Sequence, residues 1–198
     1  MSISDLVPKL QRLVPGVPAP AATRYLRDAL VEFCEKTEGL QVDLAAIHIT
    51  ADTRDYELTP AVAASIARVV GVFIQTADDA ADDLRGTRVD ESRWSLVDGD
   101  PMTLWLDWKP SGEEGSLIVV VALVPDDDMP LEEIDDTFLR RWGDAFIAGA
   151  AAELLSMERR WRNLREAQRQ AIVFGSYISQ AKNEMIRGMQ DVNPVMEV

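Results

Sequence analysis

The chain has 198 residues, 47% hydrophobic and 27% charged, enough apolar content to bury a core in one domain or in one domain with an inserted lobe. Its 34 Asp and Glu against 20 Lys and Arg give a formal charge of -14. That balance argues against a protein whose main task is to grip a phosphate backbone, because binding by counterion release needs a surface rich in lysine and arginine.

In chain order, Ser4 is positioned to cap a short helix carrying Leu6, Leu10 and Leu13, which Pro15-Gly-Val-Pro-Ala-Pro20 stops. A second helix follows, with Pro20 near its first turn, Gly39 beyond its end, and a buried face of Tyr25 or Leu26, Ala29, Leu30 and Phe33. The lone cysteine, Cys34, lies on that face; it excludes an intramolecular disulfide and reads as a core residue. After Gly39 the period becomes twofold. Leu40, Val42, Leu44, Ile47 and Ile49 predict an extended segment, residues 51–53 a turn, and 56–58 a short return strand. Residues 66–74 form a third extended stretch with both faces apolar, followed by an acidic piece in which Asp78, Asp79, Asp82 and Asp83 share helical spacing. Residues 102–108 and 117–124 predict a hairpin joined through the proline and glycines of 109–115. Its second strand is apolar on both faces, which calls for a helix layer or a neighbouring subunit.

A helix beginning at Asp136 carries Phe138, Trp142, Phe146 and the small residues Gly149, Ala150, Ala151 and Ala152. Acids at 131–136 suit its N-terminus, and Gly149 implies that another backbone approaches closely. The final helix is predicted from Trp161 to Met189, with Leu164, Gln168, Ala171, Gly175, Ile178 and Met185 on one stripe. Unbroken, it would be roughly 43 Å long. Residues 190–198, with Val195, Met196 and Val198 at the apolar end, read as a flexible tail that orders on binding. The predicted fold class is therefore α+β: a helical bundle from 1–39 and 130–189 with a β-rich lobe inserted at 40–129.

Chemistry is sparse. The single histidine, His48, sits between Ile47 and Ile49 on a strand and reads as a surface or satisfied residue and not a general base. Asp126-Asp-Asp128 or the set from Asp78 to Asp83 could in principle hold a hard cation, but the calcium-loop pattern fails after Asp126, where its glycine and glutamate are missing. No glycine-rich phosphate cradle occurs, so neither a cofactor nor a metal is expected. The tryptophans 94, 105, 108, 142 and 161 read as core or interface anchors. The N-terminus lacks the form of a signal peptide, and the longest apolar runs fall short of the roughly 20 residues that span a bilayer. A soluble chain from a reducing compartment is expected. Acid dominates upstream, whereas Arg159, Arg160, Arg162, Arg165 and Arg169 cluster late, a polarity suited to orienting partners.

Three stretches carry a resemblance: Ser4-Asp-Leu-Val-Pro-Lys-Leu10 with Leu26-Arg-Asp-Ala-Leu-Val-Glu-Phe-Cys-Glu35; Asp55-Tyr-Glu-Leu58; and residues 136–163. In these the chain resembles the head-to-tail connector proteins of tailed bacteriophages, the adaptors related to tail tubular protein A. The resemblance implies a non-enzymatic virion protein made in the bacterial host cytoplasm. It would form a homo-oligomeric, twelvefold ring beneath the portal protein, extend the DNA channel without binding DNA specifically, and offer a platform for tail or nozzle proteins. By position, the final helix and tail match the region such adaptors use against the portal. That points to Arg159, Arg160, Trp161, Arg162, Arg165, Arg169, Met189, Val195, Met196 and Val198 as contacts to the portal or a neighbouring subunit, with Trp142 and Gly149 packing helices. Two rivals stand beside this reading: a nucleic-acid-binding module using the basic helix, and a carboxylate metal-dependent hydrolase using Asp126 and Asp128.

Overall fold

The computed structural model describes residues 2–81, 85–97, 99, 101–111, 115–126, 129–130 and 134–191, with backbone alone for Asp78, Ala81 and 186–191. The fold is α+β, and the chain divides into two compact units, Met1–Leu40 with Pro125–Val198 and Gln41–Val124. These boundaries, 40/41 and 124/125, lie close to the changes of pattern in the sequence at 39/40 and 129/130.

In the helical unit, the N-terminus is fastened by Ser2, whose backbone N–H donates to the Asp5 carboxylate at 2.7 Å. Ser4, the predicted cap, lies inside the 3-10 turn Ile3–Asp5. Helix α1, Val7–Leu13, buries Leu6 and Leu10 at its start and middle but leaves Leu13 41% exposed, against expectation, because the chain turns away at Val14. Helix α2, Ala19–Thr37, buries Leu26, Ala29, Leu30, Phe33 and Cys34 on one stripe. It ends where Glu38 adopts φ 53° and the Thr37 hydroxyl donates to the Phe33 carbonyl at 2.7 Å.

The β unit, Gln41–Val124, holds two sheets. Strands β1 (Gln41–Asp43) and β2 (Ile47–His48) both pair antiparallel with β8 (Ser116–Pro125), and β4 (Ala64–Gln75) and β5 (Thr87–Arg88) continue the same sheet in the order β1-β8-β4-β5. Strands β3 (Asp55–Leu58), β7 (Met102–Leu106) and β6 (Trp94–Val97) make the second sheet, order β3-β7-β6. The predicted hairpin of 102–108 with 117–124 is therefore wrong. Tyr56 and Leu96 both sit opposite Leu104, so β7 is the centre of one sheet while β8 is inside the other. The return strand 56–58 likewise pairs with β7 and not with 47–49. Alternation records which face a residue occupies, not which strand lies beside it. Strand β4 has both faces covered only at Val69 and Gly71–Phe73, since Ser65, Ala67 and Arg68 are exposed. Between β4 and β5, the short helix α3 (Ala77–Ala81) is capped by Thr76, whose hydroxyl accepts from the Asp79 N–H; the Asp79 carboxylate accepts in return from the backbone N–H and hydroxyl of Thr76 and so is held below the usual range. Asp82 and Asp83 lie outside the described residues. Along β8, Leu117, Val119, Val121 and Leu123 are at most 1% exposed, while Ile118 and Val120 pack with Phe73 and Val70. Both of its faces are thus buried within one chain, and no neighbouring subunit is needed to cover it.

Returning to the helical unit, the Asp135 carboxylate accepts from the Phe138 N–H at 3.2 Å and starts α4, Asp136–Ser156. The last helix, α5, runs Leu164–Asp191, so Gln190 and Asp191, expected at the start of a flexible tail, are helical; the rest of that expected tail, 192–198, lies outside the described residues. Helices α2, α4 and α5 meet on aromatic rings. Phe33 contacts Phe138, Trp142, Phe146 and Phe174 at centroid distances of 6.2, 5.2, 5.4 and 6.4 Å. Beside them, Gly149 lets three helices close: a Cβ there would lie 2.9 Å from the Ala29 Cβ and 3.2 Å from the Phe174 ring.

Gly149→Ala therefore sets a helix-propensity gain of about 1 kcal/mol against overpacking of about 1–3 kcal/mol, and a net loss is expected. Gly149→Leu should lose about 3 kcal/mol. Urea unfolding of both variants checks this, and a Gly149→Leu protein as stable as the parent would refute the close approach.

Candidate partner-binding surface

The arginine cluster sits where two helices are joined. Met157 leaves the helical region at φ -69°, ψ 150° and ends α4. Asn163 then starts α5: its side-chain carbonyl accepts from the Glu166 N–H at 3.2 Å and its backbone carbonyl from the Ala167 N–H at 2.9 Å. Arg159 and Arg160 thus lie in the connection, ahead of the predicted start of the final helix; Trp161 and Arg162, predicted on that helix, lie in the connection too, while Arg165 and Arg169 are on α5. Trp161 is half-buried, and its indole N–H donates to the Leu154 carbonyl at 3.0 Å, supplying one of the partners that the last turn of α4 lacks.

These arginines have different jobs. Arg160 reaches the α1–α2 turn and donates to the Gly16 carbonyl at 3.0 Å, where Gly16 adopts φ 88°. Arg162 pairs with Glu158 at 3.6 Å and Arg169 with Glu166 at 3.6 Å, both exposed pairs of small energetic weight. Arg159 and Arg165 are exposed and make no side-chain hydrogen bond or ion pair among the described residues.

The exposed and buried faces of α5 also differ from expectation. Ala167, Phe174 and Ala181 are buried, at heptad spacing, whereas Leu164 is 49% exposed and Gln168, Ala171 and Gly175 face outward. Ile178 and Met185 are half-buried. Phe174 decides this, because it is the large side chain that meets Phe33 and the Gly149 notch. Trp142, 3% exposed, packs at 5.2 Å on Phe33, and Arg141 lies over its ring while bonding Glu184 of α5 at 2.6 Å. The backbone of Met189 belongs to α5, and Val195, Met196 and Val198 lie outside the described residues.

Two sequence-distant residues join the site that the sequence reading missed. The bond from Arg160 to Gly16 sets the α1–α2 turn against the α4–α5 connection, and α1 ends there with exposed Arg12 and Leu13. The tight Pro15-Gly-Val-Pro18 stretch marked a turn, but not its partner.

Other candidates carry little chemistry. Burial pushes the Cys34 thiol up to about 12, with the charge of Glu35 adding to the effect. His48 is exposed on β2. Among the described residues no cluster of three or more His, Cys, Asp or Glu could hold a metal, and Asp127 and Asp128 are not among them. No described helix is long and apolar enough to cross a membrane. Partial burial, and then repulsion from Asp28 and Glu32, raises the Glu153 carboxyl, while Arg24 opposes the shift. No protein-family model matches the chain, and no curated protein sequence matches it.

Two outcomes follow. Arg160→Ala should cost about 1 kcal/mol through its lost bond to Gly16, whereas Arg159→Ala should stay within about 0.5 kcal/mol of the parent; equal effects in thermal unfolding would contradict the division of labour. A raised folded-state value means that Glu153 favours the folded state below the ordinary carboxylate range and loses that contribution as pH rises through the raised value. Glu153→Gln should therefore melt higher than the parent at neutral pH, with the gap closing below about pH 4.

Proposed function

We propose that this protein is a non-enzymatic structural subunit of a bacteriophage head-to-tail connector. It would sit as a ring beneath the portal, extend the DNA channel and present a platform to tail proteins. Residues 4–10, 26–35, 55–58 and 136–163 carry the resemblance on which this rests. The observation that supports it in the folded chain is the end of the helical unit, where Arg159 and Arg165, on either side of the exposed Leu164 in sequence, are themselves exposed and form no ion pair among the described residues. A formal charge of -14 suits a channel wall that must pass DNA without holding it. Under this reading the arginines meet the portal or the next subunit, and residues 192–198 add contacts to the docked state.

Mixing the full chain with purified portal complexes, with and without residues 192–198, tests the proposal by assembly mass and by imaging of rings. Docked rings that weaken in the shortened chain are the expected result. Indifference to every portal, together with a monomeric state throughout, would remove the connector reading.

A further inference from the structure

One end of the helical unit gathers exposed arginines and leucines from sequence-distant pieces, and its carboxylates Glu158 and Glu166 pair with Arg162 and Arg169. On a chain with 34 acidic and 20 basic side chains, Arg12, Arg159 and Arg165 form no ion pair or hydrogen bond through their side chains among the described residues. Arg12 ends α1, Arg159 lies in the α4–α5 connection, and Arg165 opens α5; the Arg160 bond to the Gly16 carbonyl brings the first two segments together. Leu13 and Leu164, two of the four large apolar side chains exposed among the described residues, adjoin Arg12 and Arg165 in sequence at 41% and 49% exposure.

We propose that this end of the helical unit docks an acidic protein segment with apolar side chains set between its carboxylates. Leu13 and Leu164 act as anchors, and Arg12, Arg159 and Arg165 receive the carboxylates. Arginine suits this role because its planar fork binds a carboxylate through two parallel hydrogen bonds. The leucines favour protein over nucleic acid, since a phosphate backbone offers them nothing to bury against. Net charge points the same way: a duplex presents one charge per about 1.7 Å and is repelled by the rest of the chain, whereas a short acidic segment carries few charges beyond those the arginines meet. Resting on the connector reading, the inference gives its arginine contacts a partner chemistry and adds the end of α1 to the surface.

The test uses the full chain and a short fluorescein-labelled peptide with leucines spaced between glutamates, followed by fluorescence anisotropy at low and near-physiological salt. Saturable binding is expected, weakened about tenfold or more by Arg159→Glu with Arg165→Glu, similarly by Leu13→Ser with Leu164→Ser, and unchanged by Arg24→Glu on α2. A peptide with serine for leucine should bind less tightly. Circular dichroism confirms that each exposed-site variant is folded. Absence of saturable binding, equal binding by the charge-reversed protein, or tighter binding of duplex DNA overturns the proposal. So does a salt-sensitive self-association lost in the same variants, which would make a second copy the occupant. Portal docking without peptide binding overturns this inference and leaves the connector reading; peptide binding with indifference to every portal does the reverse.

Discussion

Phe33 stands where α2, α4 and α5 converge, and the arrangement of the helical unit depends on that meeting. Four aromatic rings from the two later helices contact it, and they reach it only because Gly149 has no side chain between Ala29 and Phe174. Small residues at 148–151 extend the same permission along α4, where Ala148, Gly149, Ala150 and Ala151 are all buried. Close backbone approach increases the dispersion contacts available to each ring. It also seals Cys34 beneath the same helices, which is why its thiol is held neutral far above the ordinary range and belongs to the core, not to any chemistry.

That packing also decides what the outside looks like. Once Phe174 is fixed against Phe33, Ala167 and Ala181 follow it inward by heptad spacing, and Leu164, Gln168, Ala171 and Gly175 must face out. The end of the unit is then finished by hydrogen bonds. Trp161 closes the last turn of α4, Asn163 opens α5, and Arg160 ties the connection to Gly16. One arginine of the cluster is therefore a structural strap, and its neighbours Arg159 and Arg165 remain available to something else.

Helices were legible in the sequence because each states its own period and its own ends: the stripe of Leu26, Ala29, Leu30 and Phe33, and the glycine among alanines in α4, are local signals. Strand partners were not legible. Residues 102–106 and 116–125 follow one another around a proline- and glycine-bearing loop, the usual appearance of a hairpin, yet β7 pairs with β3 and β6 while β8 pairs with β1 and β2. The face of α5 was misread for a related reason. Periodicity offered two stripes, one through Leu164 and Gly175 and one through Ala167 and Phe174, and the choice rests on Phe33 more than a hundred residues earlier. Of the candidate surface, the arginines were visible as composition. The contribution of Arg12 and Leu13, and the distinction between Arg160 and Arg159, needed a contact spanning 144 positions.

Two features that suggested assembly from sequence are satisfied inside one chain. Strand β8 is buried on both faces without a neighbour. Helix α5, about 42 Å long for its 28 residues, is not an unsupported strut. Phe174 meets Gly149 and Glu184 bonds Arg141, so α4 runs antiparallel beside it and backs all but its end turns. Helix α4 has 21 residues and so spans about 31 Å. Exposed arginines and exposed leucines coincide instead at one end of the helical unit. There Arg12, Arg159 and Arg165 form no ion pair among the described residues while Leu13 and Leu164 stay exposed, a combination that folding alone does not require. Surface charge spread at random on a chain with this excess of acid would place a carboxylate near most arginines, as it does for Arg140, Arg162 and Arg169. Arg12 and Arg165 are exposed exceptions that each adjoin an exposed leucine in sequence, and Arg159 is a third in the connection that leads to Leu164; that coincidence gives the end of the unit its claim to be an interface.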